Sequence, residues 1–219
     1  MKKIVFIWPS RCAGTSIYYA INAVKLKTLE HIQEYLDSAE IVTFGHMDYY
    51  TLLQEGYISE EFDENAYKFA FVRDPYDRAV SLYLHYLDKS DYKVTFLKNK
   101  TFLEFLTYVH EHGCRPLGLY NNDNKLLSSA NPQVRWTENV PLDFVGHVES
   151  IESDIKKLAD TVLNRNIKVR DLNATKRQSI DYYADKSCVD LVNTIYEEDF
   201  EAFGYKMGNL GNVRGSQGS

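Results

Sequence analysis

A chain of 219 residues with 44% hydrophobic and 14% aromatic content is long and apolar enough for a real core, which excludes a disordered segment. Its net charge of −6 excludes a general nucleic-acid binder, whose affinity comes from clustered Lys and Arg, but leaves room for a local basic pocket. Cys12, Cys114 and Cys188 lie far apart and fit neither a zinc site nor a disulfide framework, so a reduced, cytosolic setting is expected. No apolar run approaches ~18–20 residues, so no membrane-spanning segment is expected, and with the first strand starting at about residue 3 no signal peptide is expected ahead of it.

The chain opens with Lys3-Ile4-Val5-Phe6-Ile7, a buried strand that breaks at Trp8-Pro9. A short polar loop, Ser10-Arg11-Cys12-Ala13-Gly14-Thr15-Ser16, leads into a helix expected from Ile17 to about Val24. A helix start offers unpaired N–H groups and a positive dipole end, so this loop is a natural anion cradle. Arg11 adds a cation, Gly14 allows close backbone approach, and Thr15 and Ser16 supply hydroxyls. A second short helix is expected at Leu29–Leu36 and a strand at Ile41–Phe44. His46 follows that strand, where open α/β sheets place their sites; it reads either as a turn-capping histidine or as a base.

Tyr67–Val72 is the next strand, and Arg73 stands at its exit. Asp74 caps a helix with Pro75 at its first position, and Asp77 suits the dipole. Ser81, inside this helix, leans back toward its start and can meet a second anion together with Arg73. Alternatively, Arg73 pairs with a carboxylate such as Asp77 and Ser81 is only a small helix residue. Phe102–Val109 is an amphipathic helix, after which His110 and His112 read as solvated residues rather than metal ligands, being two apart. Residues 121–133 are polar and read as a lid-like loop, closed by Arg135 and Trp136. Trp136 either stacks on a flat ligand or anchors the loop.

Phe144–Val148 is expected as a strand, and Ser150 as the cap of a helix from Ile151 to Leu163. A strand at Asn166–Leu172 leads to the basic loop Asn173-Ala174-Thr175-Lys176-Arg177, followed by helices at Ser179–Tyr183 and Cys188–Phe200. From Met207 onward Gly, Asn and Ser dominate, as in a flexible tail. Strands alternating with helices predict an α/β fold: one domain over residues 1–206 with a P-loop-like, mostly parallel sheet and helices on both faces.

Three phosphate-loop patterns fail here. There is no leading glycine and no lysine before Thr15, as a Walker loop requires. Tyr18 stands where a cysteine phosphatase would close its cradle with arginine, so Cys12 reads as a small loop residue. The three-glycine dinucleotide fingerprint is absent.

Taken together, the motifs resemble the sulfotransferase family, particularly the carbohydrate sulfotransferases related to heparan sulfate 2-O-sulfotransferases. Phe6-Ile7-Trp8-Pro9-Ser10-Arg11-Cys12-Ala13-Gly14-Thr15-Ser16 is similar to that family's loop for the 5′-phosphosulfate. Phe71-Val72-Arg73-Asp74-Pro75-Tyr76-Asp77-Arg78-Ala79-Val80-Ser81 is similar to its 3′-phosphate motif, and Gly45-His46-Met47-Asp48-Tyr49 to the segment that supplies the base. Asp143-Phe144-Val145-Gly146 with Glu149, and Asp199-Phe200 with Phe203-Gly204-Tyr205, resemble recurrent structural landmarks.

The resemblance implies a sulfotransferase fold, 3′-phosphoadenosine-5′-phosphosulfate (PAPS) as donor, 3′-phosphoadenosine-5′-phosphate (PAP) as product, and no metal. It assigns Arg11, Cys12, Ala13, Gly14, Thr15 and Ser16 to the 5′ end of the donor and Arg73 and Ser81 to its 3′-phosphate. Asn173, Thr175 and Lys176 resemble a loop that closes over the donor. His46 becomes the base that takes the proton of a hydroxyl-bearing saccharide or metabolite, with Arg135 and Trp136 on the acceptor side; Asp48 either orients the imidazole or binds the acceptor, and Arg78 either contacts an acidic sugar or pairs with a neighbouring carboxylate. Relatives usually carry lysine at Arg11; arginine keeps the charge but differs in reach and is not a proton donor. The competing expectations are a P-loop-type kinase and a nucleotide-binding module of the same fold without catalysis.

Overall fold

The computed structural model describes residues 3–25, 41–88, 99–113, 118–122, 125–163, 167 and 181–209. The expected helix at Leu29–Leu36 and the loop bearing Asn173, Thr175 and Lys176 lie outside the described residues, as does the expected strand at Asn166–Leu172 apart from Ile167. In chain order the strands are β1 (Ile4–Ile7), β2 (Val24–Lys25), β3 (Ile41–Thr43), β4 (Tyr67–Val72), β5 (Gly118–Asn122), β6 (Lys125–Ser128) and β7 (Phe144–His147). The helices are α1 (Gly14–Ile21), α2 (Tyr49–Gln54), α3 (Glu60–Asn65), α4 (Pro75–Asp88), α5 (Phe102–His112), α6 (Val134–Thr137), α7 (Ile151–Leu158), α8 (Lys186–Ile195) and α9 (Glu197–Phe203). The chain divides into two compact units, Met1–Arg73 with Arg135–Asn173 and Asp74–Val134 with Ala174–Ser219.

The first unit is built on a five-stranded sheet of order β2-β3-β1-β4-β7, parallel at every pairing. The register aligns Ile4 with Tyr67 and Phe6 with Phe69, and Phe69 in turn with Phe144, which makes one aromatic layer on one face. Helices α1 and α7 lay Ile17, Ile21, Ile155 and Leu158 on that layer. Val5, Val42, Ala70 and Val72 point the other way and are equally buried. Burial on both faces is why these strands read as continuous apolar runs rather than alternating ones.

Two glycines are set by neighbouring rings. A Cβ at Gly146 would stand 2.5 Å from the ring of Phe71, its register partner in β4. At Gly14 the overlap is larger: a Cβ would lie 1.6 Å from the Trp8 indole, so the ring occupies the space that glycine leaves open. Helix α1 therefore starts at Gly14, three residues earlier than the apolar pattern predicts. It also ends early, because Asn22 takes the left-handed C-cap at φ 54 and donates to the carbonyls of Tyr18 and Tyr19. Val24, expected in that helix, pairs with Val42 of β3 instead.

Helices α2 and α3 were not evident in the sequence. Asp48 and Ser59 cap them, and both are tied to β4 through Asp63. The Asp63 carboxylate accepts from the Tyr49 hydroxyl at 2.8 Å and from Lys68 Nζ at 2.9 Å. At the far end of the sheet, Ser150 precedes α7 without capping it. Its hydroxyl donates instead to Asp154 Oδ2 at 2.7 Å, which also accepts the His147 N–H at 3.0 Å, while Lys157 Nζ donates to Oδ1 at 2.8 Å. Burial alone would raise the Asp154 carboxyl, but these donors outweigh it and bring it down to about 2. The helix expected through Leu163 is α7 as far as Leu158, then a wider π-helical turn over Ala159–Leu163.

The second unit is mainly helical. Asp74 caps α4 as expected, its Oδ1 accepting from the N–H groups of Tyr76 and Asp77. Its core packs Tyr76, Val80 and Tyr86 of α4 with Phe102, Phe105 and Val109 of α5 and Val189, Val192 and Phe200 of the last two helices. The polar stretch read as a lid is instead an antiparallel hairpin, β5 with β6, followed by a turn in which Asn131 accepts from the Ser128 N–H. The helix expected over Cys188–Phe200 is split at Tyr196 into α8 and α9, and Asp181–Ala184 is a turn rather than a helix. Gly208, expected in a loose tail, is held on both sides: its N–H donates to the Tyr76 hydroxyl at 2.7 Å, and Asn193 donates to its carbonyl at 3.2 Å. Among the described residues no helix is long and apolar enough to cross a membrane.

Two stability measurements check this packing. Gly14→Ala must displace the Trp8 indole and is expected to cost about 1–3 kcal/mol in urea unfolding, the usual range for overpacking. Asp154 titrates below its ordinary range when folded, so its contribution is complete above about pH 4 and fades as pH falls through 2. Asp154→Asn is accordingly expected to cost about 1 kcal/mol at pH 7, after allowance for screening, with the gap from the parent closing toward pH 2.

Candidate active site

In a parallel sheet all strands end at one edge, and that edge collects the loops where α/β proteins place their chemistry. In the first unit the order β3-β1-β4 sets three strand exits next to one another: Gly45-His46 after β3, the Trp8–Ala13 loop after β1, and Arg73 after β4. Thus three segments singled out in the sequence end at the same edge of one sheet.

The loop after β1 has a distinctive backbone. Arg11 (φ 66) and Ala13 (φ 54) are left-handed, whereas Cys12 and Gly14 are not, so φ alternates in sign along four residues. Such alternation turns successive N–H groups toward one side, a backbone shape of the kind that suits an anion, at the start of α1. Neither Arg nor Ala favours this region, and holding each there costs on the order of 1 kcal/mol. Gly14 and Ser16 are buried, while Arg11, Ala13 and Thr15 are partly exposed. Cys12 is buried and its thiol donates to the Ser10 carbonyl at 3.4 Å, which makes it part of the turn.

His46 lies in the turn that follows β3. Gly45 supplies φ 63 and donates to Thr43 Oγ1 at 3.2 Å, and the Met47 N–H closes the turn on the Phe44 carbonyl at 3.3 Å. The His46 Nδ1 is 2.9 Å from the Trp8 carbonyl, and the ring meets the Trp8 indole edge-on at 5.1 Å. A carbonyl only accepts, so Nδ1 carries the proton and, in the neutral ring, Nε2 carries the lone pair. That is the tautomer a base acting through Nε2 requires.

Other candidates take different places. Both carboxylate oxygens of Asp48 serve α2, Oδ1 accepting from the N–H groups of Tyr50 and Thr51 and Oδ2 from the Thr51 hydroxyl at 2.7 Å. The imidazole is therefore oriented by the Trp8 carbonyl rather than by Asp48. Trp136, considered as a stacking surface, is wholly buried and donates its indole N–H to the His46 carbonyl at 2.9 Å. Arg135 is partly exposed and pairs with Glu138 at 2.9 Å.

Of the two readings of Arg78, the geometry matches the pairing with a carboxylate. It is fully buried in the second unit, donates to the carbonyls of Ser129 (2.9 Å) and Asn131 (2.8 Å), lies 3.9 Å from Asp199 and stacks over the Tyr196 ring at 5.4 Å. Asp199, equally buried, accepts from the Val134 N–H and the Gln133 amide, and burial pushes its carboxyl up despite Arg78. Arg73 stands partly exposed at the end of β4, and Ser81 is buried within α4.

Comparison with curated proteins found no match. Among solved structures the chain is similar to mouse sulfotransferase SULT7A1 complexed with PAP, at 16% identity and a TM-score of 0.46 over 92% of this chain and 81% of that one. Residues 11–206, from the loop after β1 to just beyond the last helix, match the model of the Sulfotransferase family, and the chain belongs to that family.

Proposed function

We propose that this protein moves a sulfuryl group from PAPS to a hydroxyl of a carbohydrate or glycosylated metabolite, with His46 as general base. Membership of the family makes sulfuryl transfer the reaction class. The observation that carries the finer reading is the bond from His46 Nδ1 to the Trp8 carbonyl, because it leaves the Nε2 lone pair on a residue beside the anion cradle.

The donor supplies an activated sulfuryl group whose leaving phosphate is stable as an anion. The sign-alternating backbone at Arg11–Gly14 suits the 5′-phosphosulfate, and Arg11 offsets the negative charge that grows on the leaving phosphate. With a pKa above ~12 it does so as a fixed cation, not as an acid. As the acceptor oxygen bonds to sulfur, the bridging S–O bond breaks and its electron pair departs with PAP. The acceptor proton passes to His46 Nε2, which restores neutrality at the new sulfate ester's oxygen. Such transfers depend chiefly on positioning and charge stabilisation.

We assign Arg73 to the 3′-phosphate, where a charge-assisted, bidentate contact selects donors phosphorylated at that position. Ser81, in the same sequence motif, and Asn173, Thr175 and Lys176 are carried over to the donor by the resemblance. Arg135, on the surface, is assigned to the acceptor side.

Labelled-donor transfer screened across polysaccharide, glycoside and phenol acceptors tests the acceptor class; transfer only to phenols would overturn it. His46→Ala is expected to lower turnover at least ~10²-fold while PAP affinity, read by calorimetry, stays nearly unchanged. Unaltered turnover would remove His46 as the base. Arg73→Ala is expected to weaken PAP by roughly 1.5–3 kcal/mol, as loss of a charged hydrogen bond does, and to leave adenosine 5′-phosphate binding almost untouched. Equal losses for the two nucleotides would contradict the assignment.

A further inference from the structure

The turn bearing His46 is held from two sides, and only one of those attachments involves the imidazole. The ring is fixed by Trp8, whose carbonyl accepts from Nδ1 at 2.9 Å. The backbone is fixed by Trp136, whose indole N–H donates to the His46 carbonyl at 2.9 Å. That carbonyl lies beyond the end of β3, outside the sheet ladder. Trp136 is among the largest fully buried side chains, and a buried indole has a single N–H to place. Here it is spent on the backbone of the residue that carries the lone pair.

We infer that Trp136 is a positioning residue of the transfer reaction, holding the His46 peptide so that the imidazole stays on the Trp8 carbonyl with its proton on Nδ1. The inference rests on the reading of His46 as base. Two tethers, one at the carbonyl and one at Nδ1, lie on opposite sides of the His46 Cα and so restrict both the peptide and the ring. With the Trp136 tether removed, the His46–Met47 peptide keeps the bond from the Met47 N–H to the Phe44 carbonyl but loses its hold on the carbonyl side, so it can tilt and the ring can slide off the Trp8 carbonyl. The proton then has no partner holding it on Nδ1, and the lone pair needed at Nε2 is present for only part of the time. Displacements of about 1 Å in such a group cost up to ~10²-fold in rate.

The sharpest substitution is β-(3-benzothienyl)alanine at 136, which keeps the ring shape and replaces the N–H by sulfur; Trp136→Phe is the encodable companion. Two readouts apply that need no known acceptor: the ¹⁵N spectrum of histidine-labelled protein, which reports the His46 tautomer, and sulfate release from ³⁵S-labelled PAPS with water as acceptor. The parent protein is expected to show His46 protonated on Nδ1. The benzothienyl protein is expected to show mixed tautomers, roughly 10- to 100-fold slower sulfate release and an unchanged PAP Kd. Added to His46→Ala, it is expected to slow the residual rate no further.

A single Nδ1–H tautomer and parental rate in the benzothienyl protein would overturn the inference, as would losses that multiply with those of His46→Ala. If His46→Ala itself keeps the parental rate, the base assignment fails and this inference fails with it. If His46→Ala is inactive while the benzothienyl protein matches the parent, only the role of Trp136 is lost. Should Trp136→Phe fail to fold, the benzothienyl protein, identical in shape to the parent, still decides.

Discussion

Trp8 is the residue on which the site depends, through two parts of it that act separately. Its indole fills the space left by the absent side chain of Gly14 and stacks between Phe6 and Tyr18, so the loop after β1 is clamped to the first turn of α1. Its carbonyl receives the His46 ring. One residue therefore holds both the backbone cradle and the group proposed to move a proton. The left-handed conformations of Arg11 and Ala13 are unfavourable for those residues, and they persist where packing over-determines the loop. The Trp8–Gly14 contact is that packing.

Much of this was legible in advance because it rests on local rules. Continuous apolar runs gave the strands at Ile4–Ile7 and Tyr67–Val72, since a parallel sheet covered on both faces has no alternation to show. Asp74 with Pro75 announced α4, because a carboxylate cap accepts from N–H groups that a helix start leaves open, and a proline at the first helical position has no N–H to leave unpaired. The positions of His46, Arg11 and Arg73 at strand exits followed from the same periodicity, and their convergence on one sheet edge needed only the strand order.

What escaped the sequence was long-range or carried by backbone atoms. A carbonyl has no signature, so the partner of His46 was sought in Asp48, the nearest acid, which is committed to capping α2. Trp136 donates across 90 positions of the chain to another carbonyl, a contact invisible to spacing. The hairpin β5–β6 was hidden because its strands carry asparagine and lysine, residues depleted in sheets, and composition there favours a loop. The left-handed Arg11 and Ala13 could not be anticipated either, since glycine or asparagine would be the usual occupants.

The segment from Arg73 to Ser81 shows how a motif that looks chemical is largely architectural. Asp74 caps the helix, and Pro75 starts it. Tyr76 packs in the core, donates to Asn193, and accepts the N–H of Gly208, which pins the chain after the last helix to the first turn of α4. Arg78 is wholly buried, and its guanidinium knits two carbonyls of the turn after the hairpin to the Asp199 region. Removing one member of such a buried pair leaves the other charge uncompensated, so both positions resist change for reasons unrelated to any ligand. That accounts for Asp199-Phe200 as a landmark far along the chain: Asp199 faces Arg78, and Phe200 packs on Tyr76. Arg73, by contrast, is partly exposed at the strand end, whereas Arg78 is wholly buried. The fold therefore accounts for most of the motif, and the role proposed for Arg73 is separable from it by mutation because the two use different arginines.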